Sequence, residues 1–455
     1  MSHTENQPAP RSPSIRSITA VIVGSLLLRA ASGAMGINIQ FYFNAIHEAA
    51  LNPNHPLRSI VGAGNVYQIS YALGGFIIGS FFISELLGSL VFGAWSDRFG
   101  RKKFILLGPI FGAIAVLLTS VTTAVWVLIT TRLLEGLSTA SSVPATLGYI
   151  AETTSQSPKL RTRISGLYEI ATIGGIAIGF SLGGWLWHAF GAAAVVAGIP
   201  FTSPAFAVNA LVYLLSLVVL GFGILEIKKE QKAQPLPSIH PWKLVKRYAE
   251  ILRHPGVTSF ALAWLSINAV LGIWINQTAR ILTDRRAFPD QILVGHFNSL
   301  QAGNILAGYA AFFILGILIW SQVFPQIKKT TVMLIGSGGL LVSCILIYAI
   351  NHQPGFNTPL VTLFTVLLVI SIMVQSGFTP AALSYLGDIT ELFPSDRGAI
   401  MGLYSVFLGL GQFLGASVGG LFVDWRGADG MALVAGLLGI LVAFLIYRRR
   451  NMGVQ

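Results

Sequence analysis

Twelve stretches of apolar residues, each about as long as a helix must be to cross a lipid bilayer, constrain this chain more than any other feature. A hydrocarbon core of about 30 Å takes roughly 20 residues at 1.5 Å of rise each. The stretches lie at 17–45, 69–94, 104–122, 125–150, 164–189, 205–226, 257–279, 300–322, 331–351, 359–386, 399–424 and 430–447. They are too long and too unalternating for barrel strands, and their Gly, Ala and Leu content is that of packed membrane helices. With 54% hydrophobic and only 10% charged residues, an ordinary soluble domain is excluded. An all-α polytopic membrane protein with twelve transmembrane helices is expected.

The net charge of +12 raises nucleic acid as a partner, but its distribution argues otherwise. If the N-terminus is cytosolic, the tails and even-numbered loops hold 22 of the 29 Lys and Arg residues. Arg58, Arg280, Arg285, Arg286 and Arg426 fall on the other side, and Arg29 and Arg132 fall inside spans. That is the positive-inside pattern. It predicts a multi-pass protein of the cell membrane with both termini cytosolic, surrounded by lipid and without a nucleic-acid partner. One cysteine, Cys344, excludes an internal disulfide, and no Cys/His spacing points to a metal.

Residues 226–256 interrupt the pattern with basic residues and four prolines. The expected organisation is a tail (1–16), a six-helix bundle (17–226), a cytosolic linker (227–256), a second six-helix bundle (257–447) and a tail (448–455). Residues 144–184 slide onto 380–420 at a constant offset of 236, with sixteen of 41 positions identical. Pro144 meets Pro380, Tyr149 meets Tyr385, Arg161 meets Arg397 and Tyr168 meets Tyr404. Gly166, Gly175, Gly179, Gly183 and Gly184 meet Gly402, Gly411, Gly415, Gly419 and Gly420. The chain is therefore a tandem duplication. Six spans per half give both copies the same orientation, an arrangement of parallel repeats with the substrate between them near mid-membrane.

Between the second and third spans stands "GAWSDRFGRKK", residues 93–103, with five charges in eleven positions. Gly93, Asp97, Arg98, Gly100, Arg101 and Lys102 match the hallmark of the major facilitator superfamily, which the chain resembles over nearly its whole length. The resemblance implies a tight cytosolic turn that latches the halves, with Asp97 and Arg101 engaging Glu152 and Arg163. The matching loop, "SQVFPQIKKT" from residue 321, lacks the Asp, the Arg and both glycines, so a symmetric pair of latches is not expected. In the fourth span "RLLEG", Arg132 to Gly136, looks like the family's Arg-x-x-Gln-Gly motif with Glu135 in the Gln place. The glycine series of the fifth span is similar to that of the proton-coupled drug-exporter branch, with Phe180 where a proline is expected. Because the spacing recurs in the second half, these glycines are also read as close helix-packing positions.

Arg29, Glu85, Arg132, Glu135 and Glu169 all fall within spans of the first half. A charge at mid-bilayer costs about 3 to over 10 kcal/mol, so such groups pair or face a cavity. Arg132 and Glu135 stand at i, i+3 and can meet. Glu135 is the first candidate for proton coupling and Glu85 the second, with Arg132 and Glu169 as further members; a static salt bridge is the competing reading. Arg29 could instead act as counter-ion for an anionic substrate. Further cavity candidates are Asn38, Tyr168, Asn268, Gln301, Asn304, Gln375 and Tyr404.

Neither a phosphate-binding Gly-x-x-x-x-Gly-Lys loop nor His-Glu-x-x-His occurs, so ATP-driven work and zinc-protease chemistry are not expected. The leading expectation is a secondary transporter working by alternating access, exporting drug-like or amphipathic solutes. It would use the proton gradient in place of a cofactor and, as the resemblance implies, function as a monomer. A porter of an organic anion, sugar or other metabolite stays open, as does a membrane enzyme or transporter-like receptor.

Overall fold

The computed structural model describes residues 15–155, 157–225, 255–285, 288, 290–392 and 397–451. The first half contains α1 (Ile15–Leu51), α2 (Tyr71–Phe99), α3 (Arg101–Thr119), α4 (Val125–Thr153), α5 (Pro158–Phe190) and α6 (Pro204–Gly223). The second contains α7 (Pro255–Thr283), α8 (Ser299–Val323), α9 (Lys329–Asn351), α10 in two pieces (Pro359–Gln375 and Phe378–Leu392), α11 (397–425) and α12 (428–451). The last two form one helical run, Arg397–Asn451, broken at Arg426 and Gly427, where a φ of 55° suits glycine. The twelve helices form two parallel six-helix repeats. The expected linker at 227–256 lies almost wholly outside the described residues.

Local chemistry sets the helix boundaries. Ser70 caps α2 through its hydroxyl, and Ser157 does the same for α5 ahead of Pro158 at the first helical position. Asn298 and Gln301 make a reciprocal capping box at the start of α8. Gly100, with φ 102° and ψ 133°, ends α2 and begins α3. The charge cluster therefore is not a loop: residues 93–99 are the last turns of α2, and Gly100 alone turns the chain. Several helices overrun the expected spans, as α1 does at Leu51, whereas α3 and α6 stop three residues short, at Thr119 and Gly223.

Alternate crossings place Ile15, the start of α7 and Asn451 at one face of the bundle, here the terminal face, and residues 51–70 and 290–298 at the opposite, distal face. Large exposed apolar side chains crowd α3 (Ile114, Leu117), α6 (Leu211, Leu215, Phe222), α9 (Val342, Ile345) and α12 (Leu437, Phe444). These helices contribute to the lipid-facing perimeter, to which α8 (Leu315, Leu318) and α10 (Leu363, Val366) also expose large apolar side chains, whereas α1 and α7 are mostly buried.

Candidate functional site

Arg132 and Glu135 form an ion pair inside the first half, with 4% and 1% of their surfaces exposed. Glu135 Oε1 also accepts hydrogen bonds from Ser32 of α1 at 3.2 Å and from Tyr213 of α6 at 3.3 Å. The Arg132 guanidinium lies 5.2 Å from the ring centre of Phe81 on α2. Gly136 makes this possible, because a methyl group there would run into the Phe81 carbonyl and Ser84. Removing one member of such a buried pair costs about 3–5 kcal/mol, since the other charge is left uncompensated.

A second, shallower layer lies beside it. Arg29 on α1 is half-buried and donates to Thr139 Oγ1 at 3.2 Å, one turn beyond Glu135 on α4. Half-buried Glu85 on α2 has Arg29 as its charged neighbour. Tyr168, buried on α5, lies in the field of both Arg29 and Glu169, and Glu169 itself is exposed. Four of the five expected intramembrane charges are thus brought together in two layers, and Glu169 sits at the edge.

At the terminal face Arg101 pairs with Asp97 across the Gly100 turn, with Glu152 of α4 at 3.2 Å, and with Ser96 Oγ at 2.8 Å. Gly148 leaves room for its guanidinium. Arg98 is exposed over the Phe99 ring, Lys102 is half-buried, and Gly93 packs loosely against Pro144. Arg163 is exposed and outside this cluster. The second half has a counterpart that its sequence disguised: Lys329 Nζ bonds both oxygens of Asp388 at 2.6 Å, and Asp388 is Glu152 shifted by 236.

The distal end holds the halves together. Arg280, expected in a loop, is fully buried at the end of α7. It donates to the Ile69 and Ser70 carbonyls at 2.5 and 2.9 Å and to Asn44 of α1 at 3.1 Å, with the Tyr71 ring 4.3 Å away. Tyr71 donates to Asp284 at 2.6 Å. Asp424 of α11 accepts from the backbone N–H groups of Tyr71 and Ala72 at 2.7 and 2.9 Å, so a carboxylate from one half caps a helix of the other. Around these, Ile37, Phe41 and Phe180 pack with Ala279, Leu282, Ala302 and Leu306. None of Arg280, Asp424, Tyr213 or Ser32 was singled out from the sequence. Asp424 left a trace as a carboxylate four residues after the glycine series; the others depend on tertiary contacts.

The glycine series is resolved into two functions. Gly175, Gly179 and Gly183 face α1, and Gly411, Gly415 and Gly419 face α7. Gly184 instead faces Ser299 and Gly303 of α8, and Gly420 faces Tyr71 and Ala72 of α2. Each doublet therefore packs one glycine into its own half and the next against the other half. Gly166 has nothing within 4 Å and is not a packing position. The side-chain surroundings of Gly402 and Tyr404 lie outside the described residues.

The remaining cavity candidates divide. Asn38 is fully buried on α1 with neither amide atom hydrogen-bonded. Asn304 accepts from Ser181 across the halves at 2.9 Å. Buried Gln375 lies beside Tyr309. Asn268 donates to the Trp264 carbonyl of its own helix, and Gln301 is used in the α8 capping box.

Comparison with known proteins agrees with this architecture. The family described as Major Facilitator Superfamily matches residues 19–283 and 287–453. Multidrug resistance protein 2 of Bacillus subtilis (strain 168) is 23% identical over 361 residues, 79% of this chain and 82% of that protein. Methyl viologen resistance protein SmvA of Salmonella typhimurium is 25% identical over 389 residues, covering 76% and 74%. The crystal structure of nucleoside transporter NupG superimposes with a TM-score of 0.67 at 15% identity, covering 96% of this chain and 99% of that one.

Proposed function

Since the chain belongs to the Major Facilitator Superfamily, and so is a multi-pass membrane transporter of small molecules rather than an enzyme, we propose that it exports drug-like, amphipathic compounds in exchange for protons. The terminal face is cytosolic, as the excess of Lys and Arg there supports. The distal closure then lies outside and the substrate enters from the cytosol, as alternating access requires. The names of the multidrug and methyl viologen resistance proteins support the drug-like substrate class.

The observation that carries the coupling is the buried Arg132–Glu135 pair behind half-buried Arg29 and Glu85. A proton on Glu135 removes the compensating charge of Arg132, a change of several kcal/mol. Moving a two-state equilibrium from 1:99 to 99:1 takes about 5.5 kcal/mol, so one such event is of the right size to drive the exchange of states. Ser32 and Tyr213 connect the carboxylate to α1 and α6, the helices through which its protonation can be felt.

Proteoliposomes with an imposed pH gradient test this reading, lumenal pH being followed as cationic, neutral and anionic compounds are added. A cationic or neutral compound should release lumenal protons, and Glu135→Gln should abolish the release. If no compound moves protons while labelled anions still equilibrate, coupling is wrong. Half-buried Arg29, held by the neutral Thr139 hydroxyl, then becomes the counter-ion of an anionic substrate.

A further inference from the structure

Asp290, His352 and Asp429 come from three separate elements of the second half and meet at its distal face. Asp290 lies between α7 and α8, His352 directly follows α9, and Asp429 is in the first turn of α12. Their ligand atoms all lie within 4.8 Å of one another. We infer that these three side chains bind one divalent transition-metal ion, with Zn2+ the chemical type that fits an imidazole and two carboxylates.

Three considerations carry the assignment. The first is the donor set. Imidazole suits zinc and its neighbours, whereas Mg2+ and Ca2+ favour all-oxygen shells. Three protein ligands with an open fourth position for water is a common zinc arrangement. The second is closeness. Zinc bonds of about 2.0–2.2 Å call for ligand atoms roughly 3.5 Å apart, so the trio needs only small side-chain rotations. His352 Nε2 already stands 2.8 Å from Asp429 Oδ2, and the ion would replace that hydrogen bond, with the ring proton on Nδ1.

The third is the scaffold, which is fixed without the ion. Buried Asn351 donates to Asp429 Oδ1 at 2.8 Å, its side-chain oxygen accepts from Leu293 N at 3.0 Å and its backbone carbonyl accepts from Ile292 N at 2.9 Å. Buried Gln291 donates to the Arg426 carbonyl at 2.9 Å and accepts from Ala428 N at 3.0 Å. Two amides thus tie the segment following Asp290 to α9 and to the start of α12, the two elements carrying the other ligands. Orienting groups of this kind are what hold metal ligands in place. The site is remote from Glu135 and independent of the coupling proposed above.

Tag-free, full-length protein in detergent, stripped with EDTA, is titrated with Co2+ while visible absorption is followed, and Zn2+ is then added as competitor. One equivalent of Co2+ should develop a ligand-field spectrum that Zn2+ abolishes and excess Mg2+ does not. Asp290→Asn and His352→Asn should each weaken binding by at least the roughly 10-fold that loss of an outer-shell partner alone costs. Both side chains are exposed on separate elements, so their folding in EDTA, read by circular dichroism, should match the parent. Absence of a saturable spectrum in the parent, or affinity unchanged in both variants, overturns the site.

Discussion

At matching depth the two halves bury different chemistry. Carried along the offset of 236, Arg132 and Glu135 fall on Leu368 and Ser371. Ser371 shares a hydrogen bond of 2.8 Å with Ser343 and donates to the Leu368 carbonyl. One repeat thus holds an ion pair reinforced from three other helices, and the other a neutral hydroxyl pair. Each half keeps the glycine packing, and each keeps one cation-to-carboxylate link at the terminal face. Both copies keep the glycines and a terminal link, while the mid-span ion pair is an extra found in the first copy alone.

The largest expected effect comes from unbalancing that addition. Glu135→Ala should lower unfolding stability in detergent by about 3–5 kcal/mol, because Arg132 is left buried and uncompensated. Ser371→Ala should cost about 1 kcal/mol, the scale of one neutral hydrogen bond. Giving the first half the second half's residues, Arg132→Leu with Glu135→Ser, should recover most of the stability while leaving no substrate-driven proton movement. Equal losses in the two single variants would erase the contrast.

The glycine doublets come next and test what the halves share. Gly184→Val and Gly420→Val should each cost about 1–3 kcal/mol through overpacking. They should also raise the accessibility of a reporter cysteine at the distal face, measured by thiol labelling. Gly166→Ala, with open space around it, should leave labelling unchanged. A labelling change confined to one doublet would show that the halves do not share this role.

The smallest difference lies in the terminal links. Lys329→Ala should change stability by less than about 1 kcal/mol, as partly exposed ion pairs do. Arg101→Ala should exceed it, since Arg101 engages Asp97, Glu152 and Ser96 at once and is only 15% exposed. Thermal unfolding of both variants side by side decides it.

Much of this is legible in the sequence alone. Composition and span length led to the twelve helices, and the offset of 236 led to the repeat. The i, i+3 spacing of Arg132 and Glu135 foretold their pairing, because it depends on one helix alone. The errors have a common origin. Arg280 was placed in a loop because span ends are judged by charge, yet its partners are carbonyls before α2 and an amide on α1. Asp388 matches Glu152 at the offset of 236, but its link to Lys329 was not expected, because the loop from residue 321 lacks the motif's Asp and Arg. Asp290, His352 and Asp429 are separated by 62 and 77 positions, a spacing no local pattern connects. Gln301 looked like a membrane polar group, but its place three residues after Asn298 was already a capping signal.

The glycine doublet on α5 has a mechanical consequence. A rod thinned on two sides at one level is a natural fulcrum, and this one sits far from the rod's middle. From Gly184 the helix extends only six residues to Phe190 but 26 back to Pro158, arms of about 9 and 39 Å at 1.5 Å per residue. A tilt of about ten degrees would therefore sweep the long end through roughly 7 Å and the short end through less than 2 Å. Rocking about Gly184 can gape the terminal side widely while scarcely disturbing the distal one. In the proposed alternating-access cycle, opening the distal side would demand a different event, the parting of Gly184 from Gly303 and of Gly420 from Tyr71, so its two strokes would not be mirror images.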